Sequence, residues 1–204
     1  VDDLPPGIKR PVDVVDAIIG KNPHGFHVGS DVLDEVVKVA ARKIAAEVRK
    51  KGLEVDALVP MPSTKPVAKM LADEVGKILG VKVLPSGLTK QTDPMKISID
   101  WDAADPEVLK ANPRWKKDME RELERVRASL AGTGTFRARN TISKQHARFF
   151  RNLHDLGDDT LVIATDPAVE KFPRLLLLDD IVTTGSSVND ARMVLENAGF
   201  EVVA

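Results

Sequence analysis

The sequence has 204 residues, a length typical of one domain, and 43% of them are apolar, enough for a buried core. Its 30 basic residues nearly balance its 31 acidic residues, so the formal charge of -1 argues neither for nor against a polyanionic partner. The absence of cysteine excludes disulfides and thiolate metal sites. No apolar run approaches the roughly 20 residues that cross a bilayer, and the N-terminus lacks the features of a secretory signal. We therefore expect a cytoplasmic protein.

The N-terminal half alternates helices and strands. Residues 1–52 form an N-terminal extension, in which Ser30 caps a long helix that stops at Gly52. A strand over 55–59, a helix over 66–79 and a strand over 81–84 follow. This alternation predicts right-handed crossovers and a mainly parallel sheet with flanking helices, so the expected fold class is α/β.

Residues 88–159 interrupt this alternation with a long polar stretch. Its one clear helix, over 114–131, has an apolar stripe, and ion pairs are expected along its exposed side between Asp118 and Arg121, Glu122 and Arg125, and Glu124 and Arg127. A stretch of this length inside a small domain is usually a lid, a binding loop or a subdomain.

The C-terminal part is predicted to resume the sheet. Strands are expected over 161–164 and 175–178, then a helix over 187–198 and a strand over 201–203. The segment 175–178 is leucine throughout, which is typical of a central strand covered on both faces. We thus expect one domain spanning 1–204, with 88–159 as an insertion.

The residues that follow strand 175–178 carry the clearest chemical signal. Two acids come first, and a hydroxyl-rich turn then opens the last helix, whose N-terminal N–H groups attract anions. Hydroxyls and carboxylates in this order suit a sugar phosphate, or a magnesium ion beside one. A helix cap and solvation of the strand end would require neither two acids nor four hydroxyls. Nucleoside triphosphate and dinucleotide motifs are not supported, because neither a Walker lysine nor a G-x-G-x-x-G run is present. The residues concerned are Asp179, Asp180, Thr183, Thr184, Gly185, Ser186 and Ser187.

The run 175–187 resembles the phosphoribosyl pyrophosphate (PRPP) signature of the type I phosphoribosyltransferases. The resemblance implies that family's fold and a Mg²⁺-assisted transfer of ribose 5-phosphate from PRPP to a nitrogen acceptor, a glycosyltransferase reaction of nucleotide metabolism. Asp179 and Asp180 would hold the ribose hydroxyls, act as the catalytic pair and contact Mg²⁺ through PRPP. The turn at 183–187 would bind the 5-phosphate.

The same resemblance places a pyrophosphate loop after the first strand. By analogy, Ser63, Thr64 and Lys65 would hold the leaving pyrophosphate, and the preceding Val-Pro-Met-Pro resembles the ComF-type members. The Arg-Gly-Phe-Asn element of those members is missing. Residues 88–159 occupy the position of the family's flexible loop, which makes Lys90 and Lys96 candidate pyrophosphate contacts.

The segment 133–154 leaves other interpretations open. It combines five basic residues with Phe136, Phe149 and Phe150, a pattern typical of a solvated basic face around core aromatics and less often of an RNA surface. The alternative function is therefore a non-catalytic sensor of PRPP or a nucleotide that binds RNA or a protein through this insertion. A homodimer is compatible with the sequence. His24 and His27 alone are weak evidence for a metal site.

Overall fold

We describe the protein from a computed structural model, which defines residues 30–63, 66–136, 141–167, 171–179 and 185–203. The helices and strands follow one another along the chain as α1 (Ser30–Lys50), β1 (Ala57–Pro60), α2 (Val67–Leu79), β2 (Lys82–Val83), β3 (Leu88–Lys90), β4 (Ser98–Ile99), α3 (Pro106–Ala111), α4 (Arg114–Thr133), β5 (Phe150–Arg151), β6 (His154–Leu156), α5 (Asp158–Thr165), β7 (Arg174–Leu178), α6 (Ser186–Asn197) and β8 (Glu201–Val203).

Four of these strands form a parallel sheet in the order β2-β1-β7-β8. β1 and β7 pair over four residues, from Ala57 opposite Leu175 to Pro60 opposite Leu178. The predicted α/β class, with a parallel sheet and flanking helices, is therefore confirmed.

Helices cover both faces of the sheet. Leu58 and Leu176 point to one face and pack in the core built with α1 and α2. Val59 and Leu175 point to the other face and pack in the core built with α6. Successive strand residues face opposite sides, so a strand covered on both faces must be apolar on both, as residues 175–178 of β7 are.

The insertion has a hydrophobic core of its own. Helix α4 packs its apolar stripe against the antiparallel ribbon of β4 and β5. A second antiparallel ribbon, β3 with β6, places Leu88 and Leu156 in the core between the sheet and α6. Phe136, Phe149 and Phe150 are all buried in the core of the insertion, as expected for core aromatics. Their rings are consequently not presented for stacking on bases.

The strand predicted over 161–164 is wrong, because these residues lie in helix α5. Four consecutive apolar residues do not distinguish a strand from a short helix. The decisive signal comes just before them, where Asp158 and Asp159 sit in the first turn and favour a helix N-terminus. The apolar run is not buried as a strand would be, since Leu161 and Val162 are exposed.

One ion pair predicted on α4 is also wrong. Glu122 does not pair with Arg125 but is buried, and its carboxylate lies 3.0 Å from Nδ1 of His146. Nη1 of Arg121 lies 3.7 Å from Oδ1 of Asp118, as expected for an ion pair on the exposed side of the helix. Glu122 therefore belongs to the core of the insertion.

The N-terminal extension is described only from residue 30 onward, so His24 and His27 lie outside the described residues. Helix α1 packs on the sheet through Val37, Ala41 and Val48. No helix within the described ranges is long and apolar enough to cross a membrane.

Candidate functional site

The sheet has a topological switch point between β1 and β7. The chain leaves β1 through α2 to reach β2 on one side, and it leaves β7 through α6 to reach β8 on the other. Connections that diverge in this way open a crevice at the carboxyl ends of the two strands, where ligands of open α/β sheets bind. This crevice is the candidate site.

The first residue of each of two predicted binding segments lies at the crevice. The backbone N–H of Met61 donates to the carbonyl of Leu178 over 2.7 Å, which extends the pairing of β1 and β7 past their last residues. The chain then reaches exposed Ser63 on one side and half-buried Asp179 on the other. Because adjacent strands are about 4.8 Å apart, Ser63 and Asp179 lie at the same edge of the sheet.

The N-terminus of α6 is the next described part of the chain after β7 and Asp179. Gly185 precedes the helix with φ of 71°, a left-handed conformation that favours glycine. Its carbonyl accepts the N–H of Asn189 over 2.8 Å, and the half-buried Ser186 and Ser187 form the first turn. N–H groups of a first turn have no acceptor within the helix, and together with the helix dipole they attract anions.

Several predicted site residues cannot be placed. Thr64, Lys65, Asp180, Thr183 and Thr184 lie outside the described residues. Within the ranges that the structure defines, no group of three or more His, Cys, Asp or Glu side chains could hold a metal ion. Their assignment to PRPP and magnesium stays a prediction.

A buried carboxylate, missed from the sequence, joins the insertion to the helix of the site. Asp190 lies in the first part of α6, and its Oδ2 accepts the backbone N–H groups of Leu153 and His154 over 3.0 and 3.1 Å. The same oxygen lies 2.9 Å from Nδ1 of His154. Hydrogen bonds to a charged group are stronger than neutral ones, so this carboxylate fixes the insertion against α6.

The base of the insertion is also tied to the carboxyl edge of the sheet. Helix α5 contacts the segment after β2 through two hydrogen bonds. The Asp159 carboxylate accepts the N–H of Ser86 over 2.8 Å, and the Thr160 hydroxyl donates to the carbonyl of Gly87 over 2.6 Å. Gly157 packs so closely here that an added Cβ would lie 1.9 Å from the carbonyl oxygen of Ser86. The base of the insertion therefore lies next to the crevice.

The two candidate lysines of the insertion differ in their surroundings. Lys96 pairs with Asp155 over 2.8 Å on the surface, while Lys90 is exposed. Burial is the largest influence on the pKa of Asp155 and would raise it. The hydrogen bonds from Lys96, from the backbone of Leu156 and from Gln91, with the charge of Lys96, together outweigh burial, and the pKa lies below its usual value. The hydrogen bond to Asp155 in turn raises the pKa of Lys96. Lys96 is thus paired with Asp155 in this structure, and the assignment of both lysines to pyrophosphate stays a prediction.

Comparison with known proteins adds little. No family model matches the sequence, and no curated protein matches it. Among solved structures, the chain is similar to the crystal structure of TT1426 from Thermus thermophilus, with 19% identity over 82% of this chain and 81% of that one. The TM-score is 0.34, which is too low to support an argument about fold or function.

Proposed function

We propose that the protein is a phosphoribosyltransferase that uses PRPP and Mg²⁺ to transfer ribose 5-phosphate to a nitrogen acceptor, such as a nucleobase or a related compound. One observation carries this proposal. β1 and β7 are parallel neighbours at a switch point, so the segments predicted to bind pyrophosphate and ribose 5-phosphate leave the same edge of the sheet. A ligand with a phosphate at each end of a sugar could span them.

The residues would divide the substrate between them. The first turn of α6 and the turn before it would bind the 5-phosphate, and Asp179 with Asp180 would accept hydrogen bonds from the ribose hydroxyls. Ser63, Thr64 and Lys65 would hold the pyrophosphate. In the reaction, the bond from C1 to the pyrophosphate oxygen breaks, the acceptor nitrogen bonds to C1, and that nitrogen loses its proton to water.

The two carboxylates would favour the positive charge that develops at C1. Exclusion of water matters at such a centre, and the insertion stands beside the crevice, so we propose that it shields the reacting ring. Most of the catalytic effect would come from positioning, because neither reactant needs covalent activation by the protein.

The donor set at this edge fits magnesium that is held in part by the substrate. Its side chains offer carboxylate and hydroxyl oxygens, and Mg²⁺ typically takes one or two carboxylates together with phosphate oxygens. Asp179 and Asp180 would be the protein ligands. When bound, the ion would neutralise charge on the departing pyrophosphate.

The test is calorimetric titration of PRPP in the presence of Mg²⁺, followed by pyrophosphate release with a panel of bases. We expect Asp179→Asn combined with Asp180→Asn to abolish PRPP affinity while the protein stays folded. The matched control is Asp31→Asn with Asp34→Asn, which removes two exposed carboxylates from α1. Unchanged binding in the first double variant would refute the assignment.

The same titration separates the enzyme from the non-catalytic sensor. An enzyme releases pyrophosphate with at least one base. A sensor binds PRPP without turnover, and binding of RNA through its insertion would weaken steeply as salt increases.

A further inference from the structure

A cavity of about 490 Å³ lies between the insertion and α6. Asp100, Trp101 and Arg151 line it from the insertion, and Asp190, Met193 and Asn197 line it from the helix. Its volume falls within the range of small-molecule sites. None of the residues assigned to PRPP lines this cavity, so it is a separate place in the molecule.

Asp190 gives the cavity a fixed hydrogen-bond acceptor. Its side chain is only 2% exposed, and the three donors described above all converge on Oδ2. Oδ1 receives no hydrogen bond from the described residues, and it is not among their fully enclosed unpaired atoms. Since Asp190 lines the cavity, Oδ1 is the oxygen that a molecule inside would meet.

The charge of the lining favours a cation. Asp100, Asp102 and Asp190 contribute three carboxylates, and Arg151 contributes the one guanidinium, which leaves two negative charges in excess. Arg151 is already engaged, because its Nη2 lies 2.9 Å from Oδ2 of Asp100 and its Nη1 donates to the carbonyl of Arg148 over 2.6 Å. The Nε of Arg151 has no hydrogen-bond partner, but it is fully enclosed, so an anion in the cavity would meet no accessible and uncommitted positive charge within the lining.

The remaining walls suit a flat or apolar body. Ile99, Trp101, Met193 and Val194 supply aromatic, thioether and branched aliphatic surface around the carboxylates. An aromatic face beside a carboxylate is a favourable environment for organic cations, because the ring attracts the charge and the carboxylate accepts its N–H groups.

We propose that this cavity binds a small organic cation, a primary amine or an amidinium carried on a flat or apolar body. The cationic nitrogen donates to Oδ1 of Asp190 and lies near Asp102, while the body packs against Trp101 and Met193. This site is independent of the proposed transferase function, because it rests on the cavity and the free oxygen of Asp190 alone.

The test uses benzamidine as the probe and benzoate as its anionic match, with the intact chain and without PRPP or magnesium. Saturable binding of benzamidine at millimolar concentrations, with none of benzoate, is expected by ligand-observed NMR. Asn197→Trp fills the mouth of the cavity from an exposed position and is expected to weaken binding about tenfold or more. Asp102→Asn, which removes one lining charge, is expected to weaken it several-fold.

The matched control is Asp34→Asn, which removes an exposed charge from α1 and is expected to leave benzamidine binding unchanged. Equal binding of benzoate, absence of saturation, or identical affinity in the Asn197→Trp variant and the unmodified protein would each overturn the proposal. These variants leave the hydrogen bonds of Asp190 intact, so a loss of binding is not explained by undocking of the insertion.

Discussion

Replacing Asp190 with asparagine tests how firmly the insertion is held on α6. The substitution keeps the shape of the side chain, and one amide oxygen remains to accept the bonds from the N–H groups of Leu153 and His154. It removes the negative charge, so that three charge-assisted hydrogen bonds at Oδ2 become neutral ones.

The structure sets the size of the expected effect. A hydrogen bond to a charged group contributes about 1.5–3 kcal/mol and a neutral one about 0.5–1.5 kcal/mol, so each bond loses roughly 1 kcal/mol. The side chain is 2% exposed, which leaves little screening by solvent. Because the bonds share one oxygen and are not additive, we expect a total loss of about 2–3 kcal/mol in the free energy of local opening.

Hydrogen exchange measures this loss where it occurs. The amides of Leu153 and His154 should exchange about 30- to 150-fold faster in Asp190→Asn, since every 1.4 kcal/mol corresponds to a factor of ten. The control is Asn189→Ala, which changes an exposed neighbour on the same helix. If both amides exchange within threefold of the unmodified protein, Asp190 does not hold the insertion and our reasoning about this contact is wrong.

Two further predictions concern the base of the insertion. Gly157→Ala places a methyl group against the carbonyl of Ser86 and should lower the free energy of unfolding in urea by about 2–4 kcal/mol, whereas Gly132→Ala, with open space around the added Cβ, should be neutral or slightly stabilising. An equal effect of both would contradict the close packing at Gly157. Lys96→Met should raise the pKa of Asp155 toward its ordinary value in an NMR titration, because the hydrogen bond that lowers it is lost. The pKa of Asp155 is lower in the folded protein than in the unfolded chain, so its pair with Lys96 adds a small stability near neutral pH that disappears as the pH falls below about 4. If the difference in free energy of unfolding between Lys96→Met and the unmodified protein does not change with pH, this reasoning is wrong.

The sequence predicted the sheet well because its signals are local and redundant. The leucines of β7 form a continuous apolar run, and Gly52, expected to end α1, follows that helix with a φ of 63°. Such signals allow the alternation of helices and strands to be predicted directly. The run 161–164 carried no such redundancy. Its four apolar residues fit the period of a strand as well as that of a helix, and the two acids before them were the only guide to a helix.

The partners of buried polar groups could not be predicted in the same way. Glu122 has the spacing of a surface ion pair, and only the packing of the insertion shows that it faces His146. Asp190 and His154 are 36 positions apart in the sequence and belong to no motif. The cavity that Asp190 borders depends on how the insertion docks on α6, which no local pattern encodes.

The insertion leaves the rest of the protein and returns to it at nearly the same point. The side-chain amide of Asn152 donates to the carbonyl of Lys96 over 3.0 Å, and just below this contact β3 and β6 run side by side. Residues 97–151 could therefore be excised and replaced by a two-residue turn without stretching the backbone. The trimmed chain would retain every residue assigned to PRPP, so the accessory module and the candidate site are separable parts of one chain.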